Sequence, residues 1–254
     1  VAQNLLHIAV IAHVAAALSR DKQFAANFFV GFQQRHLRAL LRGIACAGGH
    51  AFKVTLTGVG PHAISPQDGS DVISTAMQII DSWQSMLSRQ IDPQQPVVLS
   101  VCSIHAGEMG ATNVLPSTAV FSGTIRTFND PLRESILKKM RQRAESISKF
   151  NGCTCMMEEE YQFPVLVNND AVTQIVKQAA VEVVGPNAVF TVPEPSIGSE
   201  DFAQYAQKIP ASYFMFGVRN KEKGFVYGGH HPKFDMDEDG LLYDVEIFLH
   251  ALRH

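Results

Sequence analysis

The chain has 254 residues, enough for one large domain or two of ordinary size, each with a real core. With 46% hydrophobic and 18% charged residues, its composition is that of a soluble globular protein. A formal net charge of −3 gives no basic field for a polyanion, so nucleic acid is not an expected partner.

Residues 5 to 19 place Leu6, Ala9, Val10, His13, Val14, Ala17 and Leu18 at helical spacing in an alanine-rich body, which predicts a core helix. Its apolar run, Leu5 to Leu18, is broken by His7 and His13 and is too short to cross a bilayer. It also lacks a basic start and a clear cleavage site, so neither a membrane span nor a signal peptide is expected. AANFFVGFQ (25–33) suits a strand buried on both faces of a parallel sheet. Residues 35–42 are basic and leucine-rich and fit neither pattern.

Residues 52–161 read as strand, helix, strand, strand, helix, strand, the ferredoxin-like split β-α-β order. In the first strand, from Phe52, Val54 and Leu56 alternate with Lys53, Thr55 and Thr57. The helix from Ser70 carries a stripe of Val72, Ala76, Ile79, Ile80, Trp83 and Leu87, and the prolines of DPQQP stop it. VVLSVCSIHA and TAVFSGTIRTF are strands rich in β-branched residues. Asn129 or Asp130 before Pro131 starts the second helix. That helix buries Leu132, Ile136, Met140 and Ile147, with Arg133 and its basic neighbours outside. CTCMMEEEY is the last strand. Two helices on one face leave the opposite face and an edge strand to be covered.

Beyond it, an Asn-Asn-Asp cap opens a helix carrying Val172, Ile175, Val176, Ala179 and Val183, ended by Gly185-Pro186. Short strands are expected at 188–192 and 212–218, a short helix at 201–207 and an irregular loop at 228–239. A final helix is expected to bury Leu241, Leu242, Val245, Phe248, Leu249 and Leu252. The expected fold is α/β, with residues 1–51 and 162–254 forming one domain and 52–161 inserted as an α+β lid. The cysteines at 46, 102, 153 and 155 complete no zinc site and read as reduced thiols of a cytoplasmic protein.

Several residues stand out chemically. His230 and His231 sit in a glycine-flanked loop after a strand, where ligand sites gather in α/β sheets; a solvated histidine pair fits equally well. Glu200 and Asp201 precede a helix, where simple capping also explains them. His62 lies in the turn GVGPHA and either reaches a neighbouring subunit or is a turn residue. Asn113 and Arg126 flank the third strand of the module. Arg126 shares a face with Ser122 and Thr124, so its planar guanidinium suits a carboxylate; a surface ion pair is the alternative.

Taken in order, GVGPHA, HAGEMGATNVLP, GTIRTF, PSIGSEDF and HHPKFDMDEDGL resemble the metallo-amidohydrolases that include hippurate hydrolases, aminoacylases and indole-acetyl-amino-acid hydrolases. The similarity runs from about Gly43 to the C-terminus and weakly through His7 to Gln33. The resemblance implies a zinc-peptidase-like catalytic domain, a lid through which two subunits form a homodimer, and hydrolysis of N-acyl amino acids or small peptides. It also implies two divalent metal ions, zinc first, with manganese, cobalt or nickel as alternatives. On that resemblance His230 is a metal ligand, and His62 is the catalytic lid residue that stabilises an oxyanion in the partner's site. Asn113 and Arg126 hold the substrate's oxyanion or carboxylate, and Glu200 lines the pocket.

The chain departs from the family where AQNLLH replaces a Cys-Gly-His-Asp-x-His segment, leaving only His7, and where no Gln-Pro-Ala-Glu-Glu segment follows Gln33. One imidazole does not hold a catalytic zinc, which takes about three protein ligands. Either further segments belong between Asn4 and Leu5 and between Gln34 and Arg35, the preferred reading, or the chain is a truncated, non-enzymatic binding or scaffold subunit.

Overall fold

The computed structural model describes residues 38–40, by backbone alone, together with 42–229 and 231–254. The helix and strand expected at 5–19 and 25–33, with His7, and the candidate ligand His230 lie outside the described residues. In chain order the first elements are β1 (Arg38–Leu40), β2 (Gly43–Cys46), β3 (Gly48–Thr57), α1 (Val72–Gln90), β4 (Val97–Ala106) and β5 (Thr118–Thr127). There follow α2 (Asp130–Phe150), β6 (Thr154–Phe163), β7 (Leu166–Asn168), α3 (Asp170–Val184), β8 (Val189–Thr191), α4 (Ala203–Ala206), β9 (Phe214–Phe216) and α5 (Asp239–Ala251).

One compact unit comprises Cys46–Val165 with Ser196–Glu200. Its four strands pair antiparallel in the order β4-β5-β3-β6. Along β5, Ala119, Phe121 and Ile125 are buried while Val120, Ser122, Thr124 and Arg126 are half-buried, the two-residue period of a strand covered on one face. Phe52, Val54 and Leu56 of β3 join a core with Ile79, Trp83 and Met86 of α1 and Ile136 and Met140 of α2. Each such side chain contributes about 1.5–3 kcal/mol on leaving water. Trp83 centres this core, edge-on to Phe52 at 5.4 Å, and its indole donates to Met140 O at 3.0 Å.

The helix ends follow local chemistry. Asp71 caps α1 by accepting from the amides of Ile73 and Ser74, and Asn129 caps α2 by accepting from Leu132, with Pro131 in the first turn. In this unit β3 and Arg133 differ from the sequence reading. β3 begins at Gly48 rather than Phe52, because the ladder to β5 continues through Gly48-Gly49-His50-Ala51, where no polar alternation marks it. Arg133 is 2% exposed rather than outside, because Asp130 Oδ1 at 2.6 Å and Phe163 O at 3.0 Å accept from its guanidinium.

The other unit contains the described residues up to Ala45 together with Leu166–Pro195 and Asp201–His254. In its three-stranded sheet β1 lies between β8, which is parallel to it, and β9, which is antiparallel. The basic stretch that fitted no pattern therefore supplies a middle strand, defined by backbone pairing on both sides. A second, two-stranded sheet pairs β2 with β7. α3 is capped by Asn169 and ends at Gly185, whose φ of 81° is a conformation glycine adopts without strain.

α3 packs on α5 through Val176, Ala179, Ala180, Ile247 and Ala251. α5 is turned from the expected face: Gly240, Asp244, Ile247 and Ala251 are buried, while Leu242 and Leu249 are 70% and 53% exposed. Its apolar residues surround the axis, so spacing alone did not select a stripe. The loop leading into α5 is tied down by buried Asp237, which accepts from Asn220 at 2.7 Å and from Lys223 at 2.6 Å. Hydrogen bonds to Asp237 and then Asp239 hold the Lys223 ammonium above its ordinary pKa. Among the described residues no helix is long and apolar enough to cross a membrane.

Candidate functional site

His62 and Asn113 come from different loops and are brought together. The loop after β3 and the loop before β5 are joined by a bridge between His62 and Val114. Ala63 N donates to Asn113 O at 2.9 Å and Leu115 N to Pro61 O at 3.0 Å. The His62 side chain is exposed, and its Nδ1 accepts from Ile64 N at 3.3 Å. Backbone bonds thus hold this pair of loops while leaving the imidazole in the open. On the same two loops Val59, Ile64, Met109 and Val114 are all more than half exposed, with Met109 fully so.

Arg126 stands at the opposite end of the same sheet. β5 runs from Thr118, beside the His62 loop, to Thr127, and eight steps at about 3.4 Å separate Thr118 from Arg126 by roughly 27 Å. Arg126 is the cross-strand partner of Gly49 on β3. Its Nη1 donates to Ser199 Oγ at 2.5 Å. The 196–200 segment is laid against this edge by a parallel bridge between Cys46 and Ser196 and by Ala47 N donating to Ser196 O at 2.9 Å.

Glu200 is half-buried in that segment. Burial, and then the negative charge of Glu200, push the Cys46 thiol up to about 12, so Cys46 is an inert core group. The capping explanation for Glu200 and Asp201 does not hold: α4 is only four residues long, its N-cap is Phe202, and no side chain caps it. Ser199 was missed by sequence reasoning. Its signal was indirect, a Gly-Gly pair opening the strand that pairs with the Arg126 strand.

His231 stacks on Tyr227 with ring centroids 4.3 Å apart and planes 9° from parallel, and its Nδ1 accepts from Lys233 N at 3.1 Å. Cavities of about 640 Å³, beside Asn168 and Lys208, and about 330 Å³, beside His105 and Glu108, are not lined by His62, Asn113, Arg126 or Glu200. One further buried titratable group lies in the first unit. His50 is fully buried, with neither ring nitrogen hydrogen-bonded. Its Nε2 lies 3.5 Å from Glu159 Oε2, a charge contact without hydrogen-bond geometry. Burial lowers its pKa against the raising field of Glu159.

Among the described residues no group of three or more His, Cys, Asp or Glu side chains is arranged to hold a metal ion. These residues do not fit a metal centre by themselves.

The sequence pattern of peptidase family M20/M25/M40 matches residues 9–254. Thermostable carboxypeptidase 2 of Saccharolobus solfataricus is 36% identical over 217 residues, covering 84% of this chain and 53% of that protein. IAA-amino acid hydrolase ILR1-like 4 of Arabidopsis thaliana is 33% identical over 209 residues, covering 81% and 47%. The structure of the Bacillus subtilis YXEP protein, a dinuclear metal-binding peptidase from the M20 family, matches with a TM-score of 0.63 and 25% identity, covering 87% of this chain and 53% of that one. The chain spans about half the length of the curated relatives it matches. Its mixed α/β fold of sheets with flanking helices is shared with that structure. The chain belongs to peptidase family M20/M25/M40.

Proposed function

We propose that this chain is part of an amide hydrolase that cleaves N-acyl amino acids or small peptides and works as a homodimer. Residues 52–161 serve as a ferredoxin-like lid and dimerisation domain, and residues 1–51 and 162–254 belong to the catalytic domain. Family membership and the hydrolytic activities named for its relatives support the reaction class. The observation that carries the shared site is the separation along β5. His62 and Asn113 sit together beyond one end of β5, past Thr118, and Arg126 stands near the other, with roughly 27 Å of strand rise between Thr118 and Arg126. Groups that far apart act on one small substrate only when two copies exchange ends.

In this reading Arg126 binds the carboxylate of the amino-acid part, where a planar guanidinium gives two parallel hydrogen bonds. His62 and Asn113 of the facing copy donate to the oxygen of the scissile amide as it gains charge. Glu200 lines the pocket near Arg126. The exposed apolar side chains on the His62 and Asn113 loops and the edge position of β4 favour burial against a second copy. Metal dependence, through two divalent ions with zinc preferred, rests on the family resemblance and the dinuclear relative. His230 is the ligand proposed from this chain. Four free cysteines favour a reducing, cytoplasmic setting.

The test is amino-acid release from a panel of N-acyl amino acids by the complete polypeptide, purified and supplied with zinc, manganese or cobalt. Cleavage of at least one such amide is expected. Failure across the panel refutes the proposal.

A further inference from the structure

Arg126 is half-buried, and among the described residues its guanidinium makes one hydrogen bond, from Nη1 to Ser199 Oγ at 2.5 Å. That serine does not sit on a loose loop. The backbone of its segment is bonded to the strand edge at Ala47 and Cys46, and Gly198 N donates to Ser196 Oγ at 3.1 Å. The oxygen that meets the guanidinium is therefore set by strand geometry.

Gly49 makes the contact possible. It lies directly across the ladder from Arg126. A Cβ placed there would come 2.6 Å from Ser199 Oγ, 2.8 Å from Ser199 Cβ and 3.4 Å from Arg126 Nη1. The first two approaches are too close for any side chain, so a residue larger than glycine would push Ser199 off the guanidinium.

We propose that Ser199 is a positioning residue that fixes the plane of the Arg126 guanidinium for a substrate carboxylate, and that Gly49 is the gap in the sheet that admits it. This rests on the assignment of Arg126 to the carboxylate. An arginine side chain carries about five N–H donors in a fixed fork. Engaging Nη1 alone leaves the Nη2 side to meet a carboxylate through parallel bonds, with the rotation of the long side chain already restrained. Substrate affinity is gained because less freedom is lost on binding.

The experiment compares KM and kcat for an N-acetyl amino acid and for its carboxamide, in the wild-type protein and in Ser199→Ala, Ser199→Thr, Gly49→Ala and Arg126→Met. Ser199→Ala is expected to raise KM for the acid about tenfold, the scale of one hydrogen bond to a charged group, with kcat and the carboxamide kinetics unchanged. Ser199→Thr keeps the hydroxyl and restores the acid preference, while Gly49→Ala imitates Ser199→Ala. Thermal melts of the serine variants should match the wild type. Equal effects on acid and carboxamide, or no effect of Ser199→Ala on either, overturn the role of Ser199 even where Arg126→Met abolishes the preference. If Arg126→Met leaves the preference intact, the carboxylate assignment has failed, and the role of Ser199 falls with it.

Discussion

Replacing His62 by alanine separates a chemical role from a structural one more sharply than any other single change. The imidazole is exposed, belongs to no core, and makes one hydrogen bond, to Ile64 N at 3.3 Å. The loop conformation rests instead on backbone bonds, from Ala63 N to Asn113 O and from Leu115 N to Pro61 O, which alanine leaves in place. An exposed substitution of this kind alters stability by no more than about 0.5 kcal/mol, or about 1–2 °C in Tm for a chain of this size. An oxyanion donor, by contrast, is worth about 10²–10³ in kcat. The assay pairs a thermal melt with kcat on the best acyl-amino-acid substrate. A fall in kcat of about a hundredfold or more with Tm held within a few degrees is expected. Parallel losses of stability and activity, or unchanged turnover, would refute the catalytic assignment.

Two further outcomes follow from buried groups in the same unit. Trp83→Ala removes the ring packed against Phe52 and Phe121 and its bond to Met140 O, so urea unfolding should show a loss of about 3–5 kcal/mol; under about 1 kcal/mol would contradict a core centred on that ring. Burial holds the folded-state pKa of His50 below the ordinary 6.5, so the unfolded chain takes up a proton first as pH falls. Its contribution is complete above 6.5 and drains as the pH drops below that value towards the folded pKa. His50→Gln should flatten that part of the stability–pH curve, and an identical slope in both proteins would show that His50 does not titrate on unfolding.

The sequence was most legible where the signal is local. β4 and β5 coincide with VVLSVCSIHA and with the first ten residues of TAVFSGTIRTF, and Asn129 before Pro131 marks the start of α2, because branched side chains and capping oxygens act on their own backbone. It was least legible where distant residues decide. Arg133 reads as a surface cation on a basic helix, and only the fold brings Asp130 and Phe163 O to its guanidinium. Residues 38–40 carry no strand pattern and become a strand because β8 and β9 pair with them on either side.

The same division runs through the site. His62, Asn113 and Arg126 are proposed from their motifs, whereas their placement along the sheet was not legible, since no local pattern states that the first two lie a strand's length from the third. Ser199 was hidden for the same reason. Its meaning depends on Gly49 standing opposite Arg126, a register that the ladder sets and neither stretch announces.

Sharing of one site between two copies is tested most directly by mixing two impaired variants, His62→Ala and Arg126→Met, and assaying acyl-amino-acid cleavage at low substrate after subunit exchange. A mixed dimer carries one site with an intact Arg126 from one copy and an intact His62 from the other. Random pairing should therefore restore about a quarter of wild-type sites. No recovery, with exchange verified by native mass spectrometry, would mean that the two residues do not act across the dimer on a common substrate.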